Sequence, residues 1–126
     1  IGLARVLGGS TEIQMSLAPK SATAPVAMGI SEKIGGLPSL TAVLVVITGI
    51  TGAVLGTQLF EWNRVRDATA KGIAMGVAAH GIGTARAFQV SSQMGAFSGL
   101  AMALSAFATA LLVPWLVDLL AAWIPA

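Results

Sequence analysis

Two long stretches of the chain contain no charged side chain, one from Ile34 to Phe60 and one from Ala87 to Val117. They are 27 and 31 residues long. About 20 apolar residues in an α-helix are enough to cross the ~30 Å hydrocarbon core of a bilayer. The pattern therefore predicts two full membrane-spanning helices, over 40–60 and 96–120.

Residues 10–33 are largely apolar but are interrupted by a polar segment that contains Pro19 and Pro25. Pro19 should end a short helix, because proline lacks an amide donor and disfavours helix in the residue before it. Pro25 suits the first turn of a second helix. The stretch is predicted to be a discontinuous helix, in which two half-helices are joined by an unwound polar centre at 19–25.

Capping residues indicate where these two half-helices begin. Thr11 and Gln14 have the spacing of a capping box, which places the start of the first half-helix at Thr11. Thr23 or Ala24 is expected near the cap of the second half-helix, which should run to about Lys33.

Residues 68–90 repeat this arrangement, because a polar break again divides an apolar stretch. The break at 80–86 contains His80, Gly81, Gly83, Thr84 and Arg86. Each broken helix is followed by a clean span, which gives a weak pattern of two units. The predicted fold is therefore all-α: a polytopic membrane protein with two full spans and two discontinuous helices.

Composition excludes several classes of protein. Only 10% of the residues are charged, 56% are hydrophobic and the mean hydropathy is +0.85, whereas a soluble domain carries about 25% charged residues. The low charge content argues against a soluble enzyme, and the absence of cysteine excludes a disulfide scaffold. The net charge of +2 comes without a run of basic residues, so no nucleic-acid partner is expected.

The charged segment 61–71 orients the chain. It contains Arg64, Arg66 and Lys71 beside Trp62, and the positive-inside rule places it in the cytoplasm. If both broken stretches cross the membrane, there are four crossings, with Arg5 inside and Lys33 outside. A broken stretch that returned to its own side would change this parity.

Lys20 and Arg86 are cations inside the two polar breaks, and neither has an acidic residue within one helical turn. A charge near the bilayer centre costs at least about 2.5–3.5 kcal/mol. Together with the free amides of half-helix N-termini, the two cations could bind a small anion, most simply a carboxylate. Alternatively, both side chains reach an interface or pair with Glu12 or Glu61.

The remaining polar residues of the breaks also have two interpretations. His80, the one histidine, either couples a proton or makes a structural hydrogen bond at the break. The hydroxyls of Ser21, Thr23 and Thr84 either bind substrate or satisfy carbonyl groups that the breaks leave free. One histidine without cysteine cannot supply a zinc site, so neither a metal nor a cofactor is expected.

No nucleophile and base form a recognisable pair in the sequence. Only Ser21 or Thr84 with His80 could serve a membrane-embedded hydrolase. The sequence therefore predicts a protein that is not an enzyme.

Five segments resemble signature sequences of the LrgB/CidB family of membrane proteins. They are residues 16–28 (SLAPKSATAPVAM), 34–42 (IGGLPSLTA), 48–53 (TGITGA), 79–87 (AHGIGTARA) and 95–102 (GAFSGLAM). Ala22 and Ala24 depart from the family pattern, which has valine and threonine there, so the predicted site loses one hydroxyl. Family members are about twice as long as this chain, which is similar to their C-terminal half and is expected to form a single membrane domain over 1–126.

The resemblance implies a multi-pass protein of the bacterial inner membrane. Bacterial members are described as antiholin-like proteins that influence murein hydrolase export and autolysis. Related plastid proteins carry glycolate and glycerate, and some bacterial systems are linked to pyruvate uptake. A small carboxylate, the lipid bilayer, a small LrgA/CidA-type membrane protein and further copies of the chain are the partners to expect.

Overall fold

The computed structural model describes residues 2–123, without the side chains of residues 5 and 121–123. In that part of the chain the elements are α1 (Gly2–Val6), α2 (Thr11–Leu17), α3 (Ala24–Lys33), α4 (Pro38–Trp62), α5 (Ala68–Val90) and α6 (Ser92–Trp123). The helices α4 and α6, the latter over Ser92–Leu120, are long and apolar enough to cross a membrane. The predicted all-α membrane fold is confirmed. The side chain of Arg5, predicted to lie inside, falls outside the described residues.

The half-helix ends follow the predicted chemistry except for the capping box at Thr11 and Gln14. Ser10, not Thr11, caps α2, because its Oγ accepts from the Ile13 amide at 3.4 Å. Gln14 also departs from the capping box, since its side chain donates to the carbonyl of Gly9 at 2.8 Å. Thr23 is the N-cap residue of α3, as predicted.

The remaining signals at α3 are confirmed. Pro25 lies in its first turn, and the helix ends at Lys33. Gly35 then adopts a φ of 82°, which a glycine reaches without steric cost. The chain can therefore turn directly into α4.

Residues 11–33 form a hairpin whose two arms both lie beside the first residues of α4. We call it hairpin 1. The Thr41 hydroxyl on α4 lies 3.0 Å from the carbonyl of Ser16 on α2 and 2.7 Å from the hydroxyl of Ser31 on α3. One turn further along α4, Val45 packs against Ala22 in the connection between those helices. The connection therefore lies deeper along α4 than Ser16 and Ser31 do, and it forms the tip of the hairpin.

The helix α5 reverses direction at His80, which has a φ of 44° and a ψ of −131°. A Cβ on Gly83 would lie 2.8 Å from the carbonyl oxygen of Met75, although residues eight apart in a straight helix are separated by about 12 Å. At the other end, the side chains of Thr69 and Gln93 are joined by a 3.2 Å hydrogen bond. The chain thus returns to the level at which α5 begins.

We call residues 68–90 hairpin 2; its tip is at His80. The predicted break at 80–86 is wrong in extent, because only His80 has non-helical dihedral angles and the residues after it are helical. Thr84 and Arg86 therefore lie within a regular half-helix over 81–90.

The two hairpins approach α4 from its opposite ends. Hairpin 1 contacts the first residues of α4. Hairpin 2 runs along α4 from Gly56 to Gly52. A Cβ on Gly56 would lie 2.6 Å from Met75 Sδ, and a Cβ on Gly52 would lie 2.6 Å from Ala79 Cβ. Both tips reach the middle of α4. Both ends of hairpin 2 lie at the level of the α4 C-terminus, so we expect α5 to add no crossing and α4 and α6 to be the two spans of the described chain.

Cysteine labelling tests this topology, since residues 1–126 contain no cysteine. We expect Arg66→Cys and Ser92→Cys to react with an impermeant maleimide from the same side of the membrane, and Glu32→Cys from the opposite side. All three positions are exposed. Labelling of positions 66 and 92 from opposite sides would show that α5 crosses.

Candidate functional site

The tips of the two hairpins meet around a cavity of about 240 Å³. Its walls are Thr23, Ala24 and Pro25 from hairpin 1, residues 79–82 from hairpin 2, and Val45, Val46 and Gly49 from α4. The two polar breaks of the sequence, about 60 residues apart, therefore form one site.

The N-terminus of α3 opens onto this cavity with its amides uncapped. Thr23 makes no side-chain hydrogen bond to the first turn, and Pro25 contributes no amide. The amides of Ala24 and Val26 belong to that turn and have no partner four residues earlier in a helix. A helix N-terminus carries a partial positive charge, so this wall of the cavity favours a carboxylate.

The second half-helix of hairpin 2 also begins at the cavity. His80 interrupts α5, so the half-helix over 81–90 has its own first turn, and Gly81 and Ile82 of that turn line the cavity. Two helix N-termini thus point their positive ends into the same space. Such sites bind anions, because amide donors and helix dipoles act on the same charge.

His80 combines a strained backbone with a buried side chain. A positive φ in a residue that has a Cβ costs about 1–3 kcal/mol, and the dihedral angles of His80 lie in the region that favours glycine. The side chain is only 3% exposed. Its Nε2 has no hydrogen-bond partner among the residues that the structure describes.

Lys20 and Ser21 lie next to His80 at the tip of hairpin 1. Both residues lie close to the imidazole, and the positive charge of Lys20 acts on it. Lys20 is half-buried and the side chain of Ser21 is exposed. Four of the six predicted binding residues, Lys20, Ser21, Thr23 and His80, are therefore brought together.

Thr84 and Arg86 lie outside the cavity. Thr84 is buried against α6, where its hydroxyl lies 2.8 Å from that of Ser98. Arg86 is exposed, and its Nη1 donates to Gln89 Oε1 at 3.0 Å, toward the base of the hairpin. Both positions follow from the regular helix after His80, which carries these side chains away from the tip.

The α4 residues that line the cavity are apolar or glycine, so the sequence did not indicate that they belong to a site. Val45 and Val46 are ordinary membrane residues, and Gly49 matters through close packing, since a Cβ there would lie 3.0 Å from Ile82 Cδ1. Within the described residues, no cluster of three or more His, Cys, Asp or Glu side chains could hold a metal ion. The cavity is thus lined by helix ends, one imidazole-bearing residue and mostly apolar walls, and Lys20 is not among its lining residues.

Comparison with known proteins relates the chain to a family of known sequence. The model of the LrgB-like family matches residues 1–119. The uncharacterized protein YwbG of Bacillus subtilis is 40% identical over 116 residues, which are 92% of this chain and 52% of the relative. The holin-like protein CidB of Staphylococcus aureus is 34% identical over 113 residues, 90% of this chain and 49% of the relative. The chain spans about half the length of these relatives, and no solved structure matches it.

Proposed function

Because the chain belongs to the LrgB-like family of membrane proteins, we propose that it is part of a transporter for small monocarboxylates of the glycolate, glycerate or pyruvate type. One observation carries this proposal: the tips of two opposed hairpins line one cavity, onto which two helix N-termini open. Transporters commonly bind substrate near the bilayer midplane between broken helices.

The charge and size of the cavity favour a small acid with a single carboxylate. The two helix N-termini and the nearby Lys20 supply positive charge, whereas most of the wall is apolar. Arg86, the second predicted cation, points toward Gln89 and adds no charge here. A second carboxylate on the substrate would therefore lie against apolar side chains, at a high desolvation cost.

The two hairpins offer a route from each side of the membrane. Hairpin 1 closes the cavity from the side of the α4 N-terminus and hairpin 2 from the side of its C-terminus. Movement of one tip at a time would expose the same substrate to alternate sides, as in alternating access. In this proposal the protein lies in the bacterial inner membrane with segment 61–71 in the cytoplasm. It acts with further copies of itself and a small LrgA/CidA-type partner.

Charge-removing variants of the two lysines in hairpin 1 test the proposal. In proteoliposomes that contain the full-length protein, Lys20→Gln should reduce uptake of labelled glycolate or pyruvate about ten- to a hundredfold, because a hydrogen bond to a charged group contributes about 1.5–3 kcal/mol. Lys33→Gln is the matched control, since Lys33 is exposed at the far end of α3. Arg86→Gln should have a smaller effect than Lys20→Gln. Equal uptake by the Lys20 variant and wild type would reject the site.

An antiholin-like regulator of murein hydrolase export is the second candidate function. It is favoured by the name of a relative, the holin-like protein CidB. The two functions are separable in a strain that lacks the gene. If the Lys20→Gln variant restores normal autolysis as wild type does, regulation is independent of the cavity. If only wild type restores it, solute flux is the cause of the autolysis phenotype.

A further inference from the structure

We infer that the exposed face of the second half-helix of hairpin 2 borders a water-filled entrance to the cavity, and that Arg86 attracts anions into it. We call this face, formed by Ile82, Ala85, Arg86 and Gln89, the entrance face. The inference concerns access from the side of the α4 C-terminus, and it assigns no substrate contact within the cavity. It rests on the proposed function only for what the entrance serves.

The entrance face connects the cavity with the base of hairpin 2. Its four residues are spaced three or four apart, so they lie on one side of the half-helix, and all of them are exposed. Ile82 lines the cavity at one end of the face. Gln89 lies at the other end, one residue before the half-helix ends at Val90. The face therefore runs without interruption from the cavity to the level at which hairpin 2 begins.

The entrance face carries polar side chains at membrane depth. Arg86 Nη1 donates to Gln89 Oε1 at 3.0 Å, so the two side chains form one polar patch. The backbone of Arg86 lies about 6 Å of helix from the end of the half-helix and about 9 Å from His80 at the tip. A charged residue within a membrane segment is costly against lipid, and such residues face water-filled cavities or protein and mark ion pathways.

The first half-helix of hairpin 2 provides a contrast at the same depth. Its five exposed residues are all apolar: Ala70, Ile73, Ala74, Val77 and Ala78. Such a surface suits contact with lipid tails, which are equally apolar. The two arms of one hairpin thus differ in the medium that their exposed surfaces suit. The polar surface belongs to the arm that begins at the cavity.

The charge of Arg86 has a defined effect on an anion near this face. Exposed charges act over about 8 Å in physiological salt, and Arg86 lies only one helical turn from Ile82 at the cavity. A positive charge beside apolar walls raises the local concentration of anions and their rate of entry. The guanidinium is turned toward Gln89, at the base of the hairpin, so an anion that enters from this side meets it before the cavity.

Cysteine substitution at two alanines tests the entrance face without requiring transport. In proteoliposomes that contain the full-length protein without other cysteines, Ala85→Cys is compared with Ala74→Cys, the matched control on the apolar arm. Both alanines are exposed, and they lie five and six residues from His80. The probes are two impermeant methanethiosulfonates, one anionic and one cationic, added on the side from which Arg66→Cys is labelled. Position 85 should react at least about tenfold faster than position 74, because a thiol in apolar surroundings stays protonated and only the thiolate reacts.

The ratio of the two reagents at position 85 measures the effect of Arg86. The guanidinium should speed the anionic reagent and slow the cationic one. A unit charge about 6 Å away in water changes each rate about threefold, so adding Arg86→Gln should lower the ratio of anionic to cationic rate about tenfold. Lys33→Gln is the control for lost charge, since Lys33 is exposed at the far end of α3, and it should leave the ratio unchanged.

Equal rates at positions 85 and 74, no reaction at position 85, or reaction there only from the opposite side would overturn the entrance. A ratio that Arg86→Gln leaves unchanged would overturn the role of Arg86 and mean that its guanidinium serves the membrane surface. If labelling is as expected but neither glycolate nor pyruvate is taken up, the entrance stands and the proposed function fails. If uptake occurs and position 85 does not react, the inference alone fails.

Discussion

We expect Gly76→Ala to disturb the packing of α5 on α6. It should lower the stability of the protein more than the addition of one methyl group at any other position. Gly76 is buried, and a Cβ there would overlap the carbonyl oxygen of Ser98 and lie 3.0 Å from the Met102 amide nitrogen. Both are backbone atoms, so the contact can be relieved only by separating the helices. Overpacking of this kind costs about 1–3 kcal/mol and sometimes more.

The matched control is Gly29→Ala in α3. Gly29 is exposed, and a Cβ there meets nothing within 4 Å. Alanine favours helix over glycine by about 1 kcal/mol, so this variant should be slightly more stable than wild type. Melting temperatures of the purified full-length proteins in detergent measure both effects. The close contact is contradicted if the two variants melt at the same temperature.

Thr41→Val should cause the second largest loss, because it removes the hydroxyl that joins α2, α3 and α4. Thr41 is fully buried, and its Oγ lies within 3.1 Å of the carbonyl oxygens of Ser16 and Leu37 and of the Ser31 hydroxyl. Valine has nearly the same shape but leaves Ser31 Oγ without this partner. An unsatisfied buried polar group costs about 1–3 kcal/mol.

Thr48→Val on the same helix is the control for this substitution. The Thr48 hydroxyl donates only to the carbonyl of Leu44 in its own helix, at 2.8 Å, so its loss should change stability by less than about 1 kcal/mol. Hydrogen exchange of the α3 amides gives a local readout, because hairpin 1 should open more often in the Thr41 variant only. Equal exchange in both variants would mean that the hydroxyl cluster does not hold the hairpin.

The sequence predicted the helices that depend on local chemistry. The charge-free runs identified α4 and α6, and Thr23 with Pro25 located the start of α3. The return of α5 could not be predicted, because it depends on one residue, His80, in a conformation that histidine rarely adopts. The glycines after it indicated an irregular segment of several residues, whereas the tertiary packing against α4 and α6 confines the irregularity to a single position.

The candidate site was predictable only in part, for a related reason. Lys20, Thr23 and His80 stood out as polar residues in apolar surroundings, and the structure brings them together. Thr84 stood out in the same way, but its partner Ser98 lies on another helix, and no local pattern indicates that contact. The α4 wall of the cavity consists of apolar residues that look like any other part of a membrane span.

The return of hairpin 2 to its own side also sets an order of assembly. Each of its half-helices, over 68–79 and 81–90, is about 18 Å long or shorter and cannot cross the bilayer alone. Lipid cannot satisfy the irregular backbone at its tip, which needs surrounding protein. We therefore expect α4 and α6 to insert first as independent spans, and the hairpins to fold between them afterwards. On this view, the cavity exists only once α6 is in place.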